Sequence, residues 1–206
     1  MTTLKHWDGP PLEAWRAWHP REAAARLAGV GVPWCVVGGW SIDLWLGRET
    51  RTHDDLEIAI LRGDLRRVRA HLRDYEFRCV GDGEAHALAP DVDPPPDRYQ
   101  NWVFDRHAYE WRLDVMMEYG DIDTWVFRRD QSIRAPRTTM VETRDGIAFL
   151  KPHGALLYKA KRAEPKDQHD FDACLPLLDP KDRAWLTDTL ARIHPGHAWL
   201  SALQNR

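Results

Sequence analysis

The chain has 206 residues, 43% of them apolar and 30% charged, and a formal net charge of −3. That length supports one core with an appendage but is short for two independent domains, and the weak acidity excludes a global attraction to a polyanion such as a nucleic-acid strand. No apolar run approaches the ~18 residues of a membrane helix, Lys5, His6 and Asp8 leave no room for the apolar segment of a secretory signal, and Cys35, Cys79 and Cys174 lack metal-ligand spacing, which together point to a cytoplasmic protein with reduced thiols.

Apolar residues at helical spacing, from Leu12 through Trp15, Trp18, Ala23 and Leu27, predict a helical opening over 13–29, with Pro20 starting a second helix. Residues 32–37 form a short apolar run that ends in Gly38 and Gly39, the pattern of a buried strand followed by a tight turn, and 41–47 then reads as a short amphipathic helix. In the next strand Leu56, Ile58 and Ile60 alternate with Asp55, Glu57 and Ala59, so the apolar set takes one face and both carboxylates the other.

An arginine-rich helix over 61–74 and a strand over 76–80 follow, and the three prolines within 91–97 exclude regular structure there. Strands over 103–106 and 110–118 suggest a hairpin whose second arm carries Asp114 on its polar face. Further short strands are predicted over 125–128, 138–142 and 147–150, the last two joined by the hairpin signal Asp145-Gly146. Beyond Lys151-Pro152 three helices are expected, with Pro165 and Pro180 as punctuation. The fold class is thus α/β in the α+β sense: a mixed, partly antiparallel sheet with flanking helices, one domain over 1–150 and a helical subdomain over 151–206. Most of the eleven tryptophans sit in apolar neighbourhoods and read as core.

The chemistry gathers between Gly38 and Ile58. Carboxylates two apart on a strand, Asp55 and Glu57, lie roughly 6.5–7 Å apart on one face and can reach the same hard cation. Gly38 and Gly39 let backbone amides approach phosphate oxygens, Ser41 can add a hydroxyl, and the following helix points its positive end to the same place. Asp114 brings a third carboxylate. Lys151 and Lys159, eight residues apart, can address a triphosphate from one face of a helix.

The run Gly38-Gly39-Trp40, Asp43-Leu44, Gly47, Thr50-Arg51-Thr52-His53 and the acids Asp55 and Glu57 resembles the nucleotidyltransferase superfamily that includes DNA polymerase beta, and within it the aminoglycoside and lincosamide nucleotidyltransferases. The motif covers about 20 residues, and the strand order, Asp114 and the helical tail extend the similarity over most of the chain. It implies Asp55 and Glu57 as magnesium ligands, Asp114 as third ligand or general base, and Gly38, Gly39 and Ser41 at the triphosphate. Glu57 stands where most antibiotic-modifying members carry Asp. Arg51 belongs to the motif and can pair with phosphate or with an acid of the site, and His53 orders the turn.

The implied activity is magnesium-dependent transfer of a nucleoside monophosphate, AMP from ATP, to a hydroxyl of a small acceptor such as an aminoglycoside or lincosamide antibiotic, with one or two magnesium ions. An acidic rim of Asp91, Asp93, Glu118 and Asp121 would suit a polycationic acceptor. The rival readings are a toxin-type transferase that modifies RNA or protein, and a nucleotide-binding module without turnover.

Overall fold

The computed structural model describes residues 9–205, so Lys5, His6 and Asp8 lie outside the described residues. Its strands are β1 (Trp34–Val37), β2 (Glu57–Leu61), β3 (Glu76–Gly81), β4 (Glu84–Ala87), β5 (Gln100–Asp105), β6 (Glu110–Glu118), β7 (Thr124–Val126), β8 (Arg134–Pro136), β9 (Val141–Arg144) and β10 (Ile147–Leu150). Its helices are α1 (Pro20–Arg26), α2 (Gly38–Leu46), α3 (Leu65–His71), α4 (Arg137–Met140), α5 (Pro152–Lys159), α6 (Pro165–Cys174), α7 (Pro180–Ile193) and α8 (Trp199–Gln204). Proline opens α1, α5, α6 and α7, where its missing N–H costs nothing and its fixed φ suits the first turn.

Eight strands form one mixed sheet in the order β4-β3-β5-β6-β2-β1-β10-β9. Only β2 with β6 and β1 with β10 pair in parallel, and the remaining neighbours are antiparallel. Leu56, Ile58 and Ile60 are buried in a cluster with Leu113, Val115, Trp18 and Leu65, so the period-two pattern of β2 is realised. Burying each such side chain stabilises by roughly 1.5–3 kcal/mol. A second cluster joins Ile42 of α2 and Trp125 and Phe127 of the β7 arm to Leu156, Phe171, Leu186 and Trp199 of the last helices.

Three local expectations change. The opening is not one helical stretch: a short 3-10 turn at Leu12–Ala14 gives way to extended backbone, where Trp15 bridges Trp111 and the Trp18 amide donates to the Arg112 carbonyl. Trp15 also stacks on Trp111 at 6.1 Å, so the aromatic spacing there serves sheet packing. Residues 138–142 are split between α4 and β9, with the Thr139 hydroxyl donating to the Pro136 carbonyl to close the helical turn. Strand β4 and helix α8, which the sequence pattern did not predict, complete the sheet edge and the tail. The Asp145-Gly146 turn joins β9 and β10 with both residues at positive φ, 51° and 78°, as a two-residue hairpin of the primed kind requires.

Candidate active site

Strand β2 lies between β6 and β1, and its polar face opens into a cleft of about 290 Å³ lined by Asp55, Glu57 and Ala59. Asp55 is exposed on the extended stretch before the strand, and Glu57 is half-buried. The parallel pairing sets Glu57 directly opposite Asp114, so two carboxylates project from adjacent strands on one face. Asp114 is buried, 2% exposed, and does not itself line the cleft. Its Oδ2 accepts from the Gln100 amide and, at 3.3 Å, from the Trp102 indole, while its Oδ1 is buried without a partner.

Burial and then the charge of Asp55 push the Glu57 carboxyl up to about 7, and burial and then Glu57 raise Asp114 well above the ordinary carboxylate range. The cluster is thus held together against its own repulsion.

The glycine pair sits against this face. Gly38, at φ +66°, has no room for a side chain, because a Cβ would fall 1.8 Å from Glu57 Oε2. A Cβ on Gly39 would fall 2.2 Å from Arg51 Nη2 and 2.7 Å from the His53 ring. Both glycines line the cleft at the start of α2, an end with no side-chain cap, which leaves its amides suited to an anion.

Arg51 reaches across to α6, where Nε donates to Asp170 Oδ1 at 2.9 Å and Nη2 to Oδ2 at 3.0 Å. Lys159, at the end of α5, meets the same carboxylate at 2.8 Å and Asp167 at 3.1 Å. Burial alone would lower the Lys159 pKa, but the Asp170 and Asp167 carboxylates raise it, so the ammonium stays charged. Asp170 is completely buried, and despite that burial the hydrogen bonds and charges of Arg51 and Lys159 hold its pKa below the usual value. Behind Arg51, Asp43 Oδ2 lies 2.6 Å from His53 Nε2, Asp43 Oδ1 accepts from the Thr50 hydroxyl, and Trp40 stacks on the His53 ring at 4.3 Å. These contacts pin the loop between α2 and β2, the ordering role expected of His53.

A family model described as aminoglycoside-2''-adenylyltransferase matches residues 21–86, which hold β1, α2, β2 and the glycine turn. The solved structure of ANT(2'')-Ia in complex with adenylyl-2''-tobramycin is similar at 20% identity and a TM-score of 0.50, over 82% of this chain and 92% of that one. The lincosamide antibiotic adenylyltransferase LnuA, lincomycin-bound, is similar at 15% identity and a TM-score of 0.52, over 73% and 90% of the two chains. No curated protein sequence matches.

The chain has the nucleotidyltransferase fold.

Within this nucleotidyltransferase fold not every residue singled out from the sequence reaches the cleft. Ser41 is fully buried and its hydroxyl donates to the Gly38 carbonyl at 2.9 Å, so it braces the turn rather than facing the cleft. Lys151 precedes α5 as its N-cap and pairs with Asp182 of α7 at 2.5 Å, away from the cleft lining. Nor do the four acids of the expected rim form one. Asp93 is held by Arg66 at 2.7 Å, Glu118 is buried against Arg137 at 3.0 Å, and Asp121 caps its own turn through the amides of Asp123 and Thr124. Asp91 lies in the proline-rich loop, outside the cleft lining.

Other residues emerge that the sequence reading did not single out. Arg128, Arg129 and Tyr158 wall the cleft, and the Tyr158 hydroxyl accepts from the Arg128 amide at 3.2 Å. Asp170 lies 119 positions from Arg51, a separation that no local pattern encodes.

The pairing of Lys151 has a measurable consequence. His153 is buried beside it, with Asp182 Oδ2 at 3.3 Å from Nδ1, and its pKa is pushed down to about 4, first by burial and then, against the pull of Asp182, by Lys151. The folded state therefore binds this proton less readily than the unfolded chain, whose histidine titrates near 6.5. The stability it contributes is full above pH 6.5 and is lost as pH falls toward 4, by up to about 3 kcal/mol. Urea denaturation of the wild type and His153→Gln between pH 7 and pH 4 should show the steeper decline in the wild type.

The donor set suits a hard divalent cation, being all carboxylate oxygen with a repulsion that positive charge would relieve. Among the described residues no three His, Cys, Asp or Glu side chains already form a closed group of ligands. Magnesium asks for less: one or two carboxylates, the rest of its shell coming from water and substrate phosphate.

Proposed function

We propose that this chain is a magnesium-dependent nucleotidyltransferase that moves a nucleoside monophosphate, AMP from ATP, onto a hydroxyl of a small acceptor and releases pyrophosphate. The observation that carries the reading is the pairing of Glu57 with Asp114 across β2 and β6, beside the glycine turn that opens α2. Asp55 and Glu57 would hold the metal, which when bound supplies positive charge to the phosphate being transferred.

Asp114 acts as the general base, since Oδ1 is the oxygen without a partner and its raised pKa makes it a better proton acceptor than an ordinary carboxylate. Gln100 and Trp102 keep Oδ2 occupied and fix the orientation of the group. The acceptor oxygen, losing its proton to Asp114, bonds to the α-phosphorus as the bond to pyrophosphate breaks. Gly38 and Gly39 at the helix start, with Arg51 and Lys159, meet the triphosphate and its developing charge. The last helices, residues 151–206, serve as a subdomain packed on residues 1–150 that carries Lys159 and its acids to the cleft, a reading that the shared apolar cluster supports.

In this reading Asp170 is a positioning residue. Asp170→Asn is expected to raise the KM for nucleotide about tenfold with a smaller change in kcat, and to lower stability by about 3 kcal/mol, because Arg51 loses its carboxylate partner and Lys159 keeps only Asp167. Steady-state kinetics with nucleotide varied, alongside a thermal melt, checks both.

The acceptor belongs with the antibiotic classes of the similar proteins, whose solved complexes hold a tobramycin derivative and lincomycin. Three free buried cysteines are consistent with action in the cytoplasm. The test is incubation with magnesium, ATP and a panel of aminoglycosides and lincosamides, followed by mass spectrometry. An acceptor heavier by one AMP moiety supports the reading, and no product with any acceptor counts against it.

A further inference from the structure

The charges that line the cleft are unevenly spent. Asp167 is taken by Lys159, Glu164 lies between Arg162 at 3.5 Å and Lys166 at 3.8 Å, and Glu118 is buried against Arg137. With Asp55 and Glu57 assigned to the metal, the one remaining carboxylate on the lining is Asp54. Two guanidiniums on the same lining, those of Arg128 and Arg129, have no carboxylate partner among the described residues.

Both arginines rest on aromatic rings and carbonyls instead. Arg128 lies 4.8 Å over Tyr99, whose hydroxyl accepts from Tyr119 at 2.9 Å, and Arg129 lies 5.3 Å over Tyr158 and donates to its carbonyl at 2.6 Å. Burial and then the like charge of Arg128 lower the Arg129 pKa, against the pull of Tyr158 and Glu57. Asp54 alone is then left on the lining to meet a molecule with several ammonium groups. The family model does not speak to this side, because its match ends at residue 86, before Tyr99, Arg128 and Tyr158.

We propose that the acceptor carries at most one positive charge: a neutral or singly charged polyhydroxyl compound, held against the surface of Arg128, Arg129 and Tyr158 by hydrogen bonds and ring contact rather than by ion pairs. The proposal rests on the nucleotidyltransferase reading above and narrows its acceptor. Two guanidiniums at the wall without an ion-pair partner disfavour a polycation by about tenfold at the effective dielectric of such a site.

The experiment is calorimetric titration of the protein, loaded with magnesium and a non-hydrolysable ATP analogue, with tobramycin, which has several ammonium groups, and with lincomycin, which has one. Lincomycin is expected to bind at least about tenfold more tightly, and the gap should narrow in Arg128→Gln/Arg129→Gln as tobramycin gains affinity. Tobramycin binding as tightly as lincomycin, a gap unchanged in the double variant, or no lincomycin binding to nucleotide-loaded protein would each overturn the proposal. Failure of the ATP analogue itself to bind would instead remove the reading on which the proposal stands.

Discussion

Asp114→Asn is expected to reduce turnover by about 10²–10⁴-fold while leaving the KM for nucleotide nearly unchanged and the thermal midpoint equal to or above that of the wild type. The asparagine carbonyl can still accept from Gln100 and Trp102, so the packing of β5 on β6 survives. What disappears is the oxygen that can take a proton, and with it a buried carboxyl whose pKa is raised first by its burial and then by the charge of Glu57. A residue kept for folding alone would show the opposite pairing, lower stability with activity falling in proportion. Single-turnover kinetics and thermal melts on the same preparation separate the two cases.

Gly38→Ala is expected to be severely damaging to activity for the addition of a single methyl. Two costs coincide there: a positive φ that an L side chain adopts only with strain, roughly 1–3 kcal/mol, and a new Cβ 1.8 Å from the Glu57 carboxylate. Since β2 fixes the backbone of Glu57, the carboxylate must swing away from the cleft, and activity should fall at least about 100-fold, as for loss of a group that acts in the transition state. Gly29→Ala is the matched control. Gly29 has φ +79° but nothing within 4 Å of the added methyl, so this variant should lose stability from strain and keep its activity. Activity assays on both variants at a temperature where each is folded isolate the effect of the methyl group on Glu57.

The parts of the site that were legible in the sequence are those that local geometry dictates. Alternation over Leu56, Ile58 and Ile60 placed Asp55 and Glu57 on one face because a strand with one buried side has no freedom of register. The same alternation set Asp114 on the face that pairs with Glu57. The mixed sheet and the helical tail followed from periodicity and from prolines at helix starts.

Tertiary pairing supplied what was not legible. Lys151 and Lys159 share a helical spacing on paper, but α5 begins after Lys151, and Asp182 from a later helix claims that ammonium. The hydroxyl of Ser41 turns back to its own helix. Asp170 determines how Arg51 and Lys159 are presented, and a buried carboxylate shared by two cations on separate elements leaves no periodic trace. The acidic rim failed for a related reason: composition counts carboxylates, whereas only the packed structure reveals which ones already have a partner.

In the proposed reaction the carboxylates of the cleft draw the nucleotide in through a metal ion, and one titration addresses that directly. Calorimetry of a non-hydrolysable ATP analogue should show binding that magnesium strengthens by about tenfold or more in the wild type, with most of that gain lost in Glu57→Gln. Nucleotide affinity that is the same with and without magnesium, or a magnesium effect that survives Glu57→Gln intact, would contradict it.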